Sequence, residues 1–393
     1  MKIVYSIGTT VGAGGLGVDS LEALRAIYAK GYLAKVVAYG NRQSEIPASL
    51  FRCVGIFNPT RIFANLPARY YYPIKRKYLD RLARRELARG ADLFHGWSSS
   101  SLESLRFCRE NGIVSFLENP GPHCRYAEAI VDEEFAELGI RRRSRPEILE
   151  RFFGQDEEYH LAEYEEAGRI IVESRFTGET FLSHGIPAEK LVLAPRGVDT
   201  VRFTPPAARE RGCFRVLFVG NIGVRKGARY LLEAWSALRL KNAELVLTGG
   251  VGGEFEPILR DRMARDPSIR LAGFVPDPVR SYQGASVFVF PSLSEGSAKV
   301  TYEAMACGLP VVVTPNAGSV AVDGEHGFLV PARNRDALAE KILFLYENEE
   351  AREAMGVQAR RHIESYTWEN HRKILVDIYE RAWAGDSLQD RRI

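Results

Sequence analysis

The chain has 393 residues, more than one ordinary core holds, so two domains are expected. It is 46% apolar and 26% charged with a formal net charge of +3, which excludes a disordered chain and gives no global reason to bind nucleic acid. Cys53, Cys108, Cys124, Cys213 and Cys307 lie far apart with no C-x-x-C, which excludes a sequence-evident zinc site and a disulfide scaffold and predicts a reducing compartment. "MKIVYSIGTT" is too short and polar for a signal peptide, and no run approaches the roughly 20 apolar residues of a membrane helix. A cytoplasmic chain is expected.

In chain order, "KIVYSI" reads as a buried strand. A glycine-rich loop follows, then the amphipathic stretch "VDSLEALRAIYAKG", which ends at Gly31 as a helix C-cap would. "AKVVAYG", "DLFHGW", "IVSFLE" and "RIIVES" are further strands separated by helical stretches. Such alternation predicts an α/β, Rossmann-like, doubly wound parallel sheet over residues 1–195.

The loop "GTTVGAGGLGVDS" contains G-x-G-x-x-G at Gly12, Gly14 and Gly17. A dinucleotide fold also needs an acid ending the second strand, yet "VVAYGNRQ" has none, and the glycines are placed several residues beyond the first strand. Arg42 could meet a 2′-phosphate, which keeps an NADP-linked oxidoreductase as an alternative. The preferred reading is a backbone loop at a helix N-terminus, where Gly14 and Gly15 let main-chain N–H groups approach an anion. A turn that merely closes a βα unit is the plain alternative.

Three polar residues follow first-half strands: His95 in "DLFHGWSSSS", and Glu118 and His123 in "FLENPGPHC". They are the candidates for acceptor chemistry, with His95 placed at a strand end. A histidine there can also serve only to hold a neighbouring loop. Residues 69–90, "RYYYPIKRKYLDRLARRELARG", carry eight Lys or Arg against two acids, with Tyr70, Tyr71, Tyr72 and Tyr78 near the start. Leu79, Leu82 and Leu87 add apolar character. The segment reads either as an interfacial element on anionic lipid at the inner face of a membrane or as a solvated basic helix.

"LVLAPRGVDTVRFTPPAARERG", with Pro205 and Pro206, marks a linker. The pattern restarts with "FRVLFVG", "AELVLTGG", "SIRLAGFV", "VFVFPS" and "PVVVTP", a second Rossmann-like domain over 208–365. Residues 366–393 are expected to hold a helix whose Trp368, Ile374, Leu375, Ile378, Tyr379 and Trp383 share one apolar face and pack toward the first domain. In open α/β sheets ligands sit beyond the carboxyl ends of the strands, so two such domains should face a cleft.

Within "VGNIGVRKG", Arg225 and Lys226 lie in a strand–helix loop and suit a pyrophosphate. In "VFVFPSLSEGSAKVTYEAMACGLPVVVTP" a strand, a turn and a helix carry Glu295 and Glu303. A helix starting near Ser297 would leave the N–H groups of Gly296, Ser297 and Ala298 unpaired, a site for phosphate. Glu303 would lie about 9 Å further along, at about 1.5 Å per residue, where a carboxylate could hold a ribose diol. The plain alternatives are a surface pair of Glu303 with Lys299 and an ordinary turn acid at 295.

These stretches resemble the retaining glycosyltransferases of GT-B fold, in the large family conventionally numbered four. "SEGSAKVTYEAMACGLPVV" is similar to that family's E-x7-E signature, "VGNIGVRKG" to its phosphate-binding loop, "LAPRGVDTVRFTP" to its interdomain motif and "VGAGGLGVDSLEALRAIYAKG" to its N-terminal Gly-Gly loop and helix. The resemblance implies that Lys226 holds the donor diphosphate, Glu303 the ribose and Glu295 the donor sugar, with Gly14 and Gly15 approaching the phosphates. It implies a nucleotide-diphosphate sugar donor, with UDP favoured, a glycan or lipid-linked acceptor, retained anomeric configuration and no metal or other cofactor. No D-x-D occurs in the chain. Asn221 stands where the family usually has arginine, and Arg225 is the nearest replacement. A non-catalytic relative of the family and a nucleotide-sugar epimerase are the remaining alternatives.

Overall fold

The computed structural model describes residues 1–54, 68–140, 156–208 and 212–393. In chain order its elements are β1 (Ile3–Val11), α1 (Leu16–Ala29), β2 (Leu33–Asn41), β3 (Phe51–Cys53), α2 (Ala68–Leu87), β4 (Leu93–Trp97), α3 (Leu102–Glu110), β5 (Val114–Asn119), α4 (Cys124–Glu137), α5 (Asp156–Glu166), β6 (Arg169–Val172), α6 (Arg175–Leu182) and β7 (Leu191–Leu193). They continue as β8 (Phe214–Val219), α7 (Ala228–Leu238), β9 (Ala243–Thr248), α8 (Glu256–Arg265), β10 (Ile269–Gly273), α9 (Val279–Gln283), β11 (Val287–Phe290), α10 (Lys299–Ala306), β12 (Val311–Val313), β13 (Gly327–Leu329), α11 (Arg335–Glu347), α12 (Glu349–Ile363) and α13 (Trp368–Ala384).

Among the described residues the strands form two all-parallel sheets, ordered β3-β2-β1-β4-β5-β6-β7 and β10-β9-β8-β11-β12-β13. Both strand orders reverse direction once, between β1 and β4 and between β8 and β11. Loops at the carboxyl ends of those strands are where an open sheet offers a ligand site. The strands read as continuous apolar runs because helices cover both faces of a parallel sheet. Val216, Leu217, Val287, Phe288, Val311 and Val312 are all fully buried.

The chain divides into two compact units, neither of them continuous in sequence. Unit 1 holds Met1–Pro120, the described residues 156–194 and Glu369–Ile393; unit 2 holds residues 121–140 and Pro195–Trp368. Residues 121–140 therefore fall outside the 1–195 span assigned from sequence. The reason is local: Ile130 joins the core of unit 2, and buried Glu134 of α4 accepts from Tyr230 (2.8 Å) and pairs with Arg333 (2.6 Å). In unit 1, Leu375, Ile378 and Tyr379 of α13 join the core built by Tyr5, Phe116 and Ile171. Trp383, expected on the same apolar face, is instead 53% exposed.

Several details depart from the sequence reading. β1 runs to Val11, so Gly12 follows the strand directly. Gly17 is required by packing: a Cβ there would fall 2.4 Å from the Thr10 carbonyl oxygen. Along α2, Leu79, Leu82 and Leu87 are buried, so the apolar side of the basic segment is spent on the core. The side chains of Tyr70 and Tyr72 lie outside the described residues. Among the described residues no helix is long and apolar enough to cross a membrane.

Candidate functional site

In unit 2, β8 and β11 are hydrogen-bonded neighbours, pairing Val216 with Val287 and Leu217 with Phe288. Their following loops must therefore run side by side. After β8 the chain makes a short turn over Val224–Lys226 and enters α7 through Gly227 at φ 66°. A Cβ at Gly227 would fall 1.9 Å from the Pro291 carbonyl oxygen, so only glycine lets the two loops come this close. The amide of Leu293 and the hydroxyl of Ser292 both donate to the Arg225 carbonyl, at 3.0 and 3.2 Å.

This close approach brings Arg225, Lys226 and Glu295 together. Oε1 of Glu295 accepts from the Lys226 ammonium, from Arg225 Nη1 at 2.9 Å and from Ser292 Oγ at 3.2 Å. Arg225 Nη1 also donates to the Ser294 carbonyl at 2.6 Å. Lys226 is largely buried above the Phe290 ring. Burial pulls its ammonium below the usual range, against the Glu295 carboxylate, which favours the charged form. Asn221 is exposed at the start of the same loop.

The segment leading into α10 is held at several points. Glu295 N–H donates to the Asn316 carbonyl (3.0 Å), and the Asn316 side-chain amide donates to the Leu293 carbonyl (2.9 Å). α10 begins at Lys299 with Ala298 as its N-cap, two residues later than expected. The Ala298 N–H is not available to an anion, because it donates to the Ala317 carbonyl at 2.9 Å. Arg196 Nη1 donates to the Ser297 carbonyl at 3.1 Å.

Glu303 lies on the buried side of α10 at 8% exposure. Its Oε2 accepts from Tyr282 Oη at 2.8 Å, and Lys299 stands 3.8 Å from Oε1. Burial raises the Glu303 carboxyl above its usual range, while Lys299 and the Tyr282 hydroxyl act to lower it. The surface pair with Lys299 is present, but the closer partner is a tyrosine 21 residues away in α9.

In unit 1, Gly14 and Gly15 are exposed between β1 and α1, and a Cβ at either would meet nothing within 4 Å. Gly15 needs to be glycine for its backbone, at φ 67°. His95 does not end its strand: β4 continues two residues to Trp97, and His95 is fully buried between Tyr5 and Phe116 on the neighbouring strands. It stacks on Tyr5 at 4.6 Å, with Nε2 2.8 Å from Glu118 Oε2 and Nδ1 2.8 Å from Tyr379 Oη. Burial pushes its pKa down to about 3, so the imidazole is neutral. A group sealed in the core this way cannot touch an acceptor, and His95 is a support for Glu118. Glu118, at 3% exposure, is the penultimate residue of β5. His123 belongs to unit 2, buried at the N-cap of α4.

Tyr282, Tyr379, Asn316 and Arg196 were missed from sequence. Each meets its partner across tens to hundreds of residues; Tyr379 reads only as part of an apolar helix face and Arg196 only as part of the interdomain motif.

With this geometry in view, the comparisons are consistent over most of the chain. Residues 13–202 match the model for Glycosyltransferase Family 4, and residues 213–348 match Glycosyl transferases group 1. The D-inositol 3-phosphate glycosyltransferase of Paenarthrobacter aurescens is 30% identical over 240 residues, covering 56% of this chain and 59% of that protein. The capsular polysaccharide biosynthesis glycosyltransferase CapM of Staphylococcus aureus is 33% identical over 158 residues, covering 39% and 42%. These matches span well under two thirds of either relative. Among solved structures, Anabaena HepE in complex with UDP has a TM-score of 0.67 at 15% identity, covering 97% of this chain and 100% of that one. The chain belongs to the group 1 glycosyltransferases of GT-B fold. That membership sets aside the oxidoreductase reading of the glycine loop.

Proposed function

We propose that the protein transfers a sugar from a nucleoside-diphosphate sugar to an acceptor hydroxyl, with retention of anomeric configuration and without a metal ion. The observation that carries this reading is the convergence of Lys226, Arg225 and Glu295 at the carboxyl ends of β8 and β11, with Glu303 buried on the helix that follows. Breaking a sugar–phosphate bond builds negative charge on the leaving diphosphate and positive charge on the sugar. Lys226 and Arg225 would stabilise the first, and Glu295 the second. A bound diphosphate would compete with Glu295 for both cations and free its carboxylate to face the sugar. Glu303 would hold the ribose.

UDP is the favoured donor nucleotide, supported by the UDP bound to HepE. The acceptor would be a glycan, to which the polysaccharide in the name of CapM points, or a lipid-linked sugar. Lys77, Arg81, Arg84 and Arg85 are exposed along α2 and Arg89 just beyond it, so any contact with an anionic membrane would be electrostatic. Binding to phosphatidylglycerol vesicles at low salt tests it; no binding there would rule it out.

The test of the main reading is turnover with UDP-, GDP- and ADP-hexoses in the presence of EDTA, with the product anomer read by NMR. A retained anomer formed without metal is expected. Inverted product, or activity abolished by EDTA and restored by a divalent ion, would overturn the corresponding part.

A further inference from the structure

The turn from β4 into α3 gathers a serine, a histidine and a carboxylate, all within unit 1. Ser99, two residues beyond β4, has φ 79°, a left-handed conformation that a side chain makes unfavourable. Glu163 of α5 fixes that turn: its carboxylate is fully buried and accepts from the amides of Ser99 and Ser101, both at 2.7 Å. Ser99 Oγ lies 3.2 Å from His160 Nε2. His160 Nδ1 is buried without a hydrogen bond and stands 3.4 Å from Glu163 Oε2. The amide of Ser100, between the two that Glu163 takes, has no hydrogen-bond partner among the described residues. Holding the turn needs only Glu163 and two amides. It accounts neither for a histidine between the Ser99 hydroxyl and that carboxylate nor for the unpartnered Ser100 amide.

We propose that Ser99 is an acyl-accepting nucleophile, with His160 as its general base, and that unit 1 cleaves short-chain carboxylic esters of alcohols or sugars. The inference is independent of the donor-site reading above. A serine on a strained strand-to-helix turn, facing a histidine that faces a carboxylate, is the arrangement that activates a hydroxyl for attack on a carbonyl. With the proton of the neutral ring assigned to Nδ1, on the Glu163 side, Nε2 presents a lone pair to the Ser99 hydroxyl. The contact to Glu163 tightens as the ring takes up charge. Ser99 is half-buried and the His160 side chain is 19% exposed, so a small ester can reach both. Ser99 Oγ adds to the ester carbonyl carbon while its proton passes to His160 Nε2. The Ser100 amide donates to the oxygen that becomes negative. The carbon–alkoxide bond then breaks, and the alkoxide leaves with the proton from His160 as an alcohol. Water repeats the exchange on the acyl-serine, releasing the acid and restoring the hydroxyl.

The experiment uses two probes on the full chain. An alkyl fluorophosphonate, which loses fluoride and stays on the serine it modifies, is located by mass spectrometry of the digested protein. Hydrolysis of p-nitrophenyl acetate is followed in wild type, Ser99→Gly, Ser99→Ala and His160→Gln. Ser99→Gly removes the hydroxyl and suits φ 79°, so it carries the test if Ser99→Ala fails to fold. The labelling of wild type needs no variant at all. The expected result is a phosphonyl group on Ser99, and ester hydrolysis about 100-fold or more faster in wild type than in Ser99→Gly or His160→Gln. A wild type unlabelled at Ser99 overturns the proposal. Equal hydrolysis by wild type and Ser99→Gly also overturns it, since lysines or the exposed Cys53 and Cys213 would then be the reacting groups. Labelling of Ser99 undiminished in His160→Gln would show a hydroxyl that no base activates, and would overturn it as well.

Discussion

The Lys226 ammonium and the Glu295 carboxylate, 69 residues apart, meet in a direct ion pair because β8 and β11 are neighbours in a parallel sheet. The acid proposed to face the donor sugar is held by the cation proposed to hold the diphosphate. Substituting either should therefore act differently on binding and on turnover. Lys226→Ala is expected to weaken nucleoside diphosphate binding about 10–100-fold. Glu295→Gln should leave that binding close to wild type and lower kcat about 100-fold or more. Titration calorimetry and steady-state kinetics on the two variants separate these effects.

Tyr282→Phe removes one hydroxyl, the group that donates to Glu303 in the interior. The buried carboxylate then loses a partner, at a cost of about 1–3 kcal/mol. A lower melting midpoint and weaker nucleotide affinity are expected together. Unchanged nucleotide affinity in a destabilised variant would show that Glu303 does not hold the ribose.

Asp80 on α2 is fully buried and accepts from the amides of Glu103 and Ser104 at the start of α3 and from the Ser104 hydroxyl. Burial outweighs these bonds and pushes its carboxyl up to about 7. A carboxyl with a raised folded pKa contributes stability that is fully present below its unfolded value, near 3.8, and is lost as pH rises through 7. Asp80→Asn cannot ionise. The difference in melting midpoint between wild type and this variant should thus shift against wild type from pH 5 to pH 8. A constant difference across that range would show that Asp80 ionises normally.

His95 should give no imidazole titration in the NMR spectrum down to about pH 4, since burial holds it neutral. Its folded pKa lies below the unfolded value of about 6.5. The stability it contributes is complete above pH 6.5 and is lost as pH falls toward 3. Replacing His95 by Phe leaves Glu118 facing a ring with no donor and should cost about 1–3 kcal/mol in thermal unfolding.

Most of the parallel strands were legible because buried strands read as unbroken apolar runs, as in "VFVF" and "VVV". The strands that were not legible, β3, β7 and β13, are three residues each and lie at sheet edges, too short to show any period. Strand–loop grammar placed Lys226 and Glu295 each in a loop at a strand end, but their ion pair was not read from it. His95 was misread by the same grammar: it was placed at the strand end, but it lies two residues inside β4 and is fully buried. The tyrosine partners of His95 and Glu303 were beyond reach. Tyr379 comes to His95 from 284 positions away, and sequence periodicity carries no information at that range.

That last distance bears on how the protein is made. Tyr5, His95 and Phe116 are made before the second unit's Pro195–Trp368, but the side chain that closes over them belongs to α13, which is made after it. The first unit must wait, with its polar centre open, through the synthesis of the whole second unit. Residues 1–194 alone therefore lack the ring that covers His95, and a chain cut there would leave that centre uncovered.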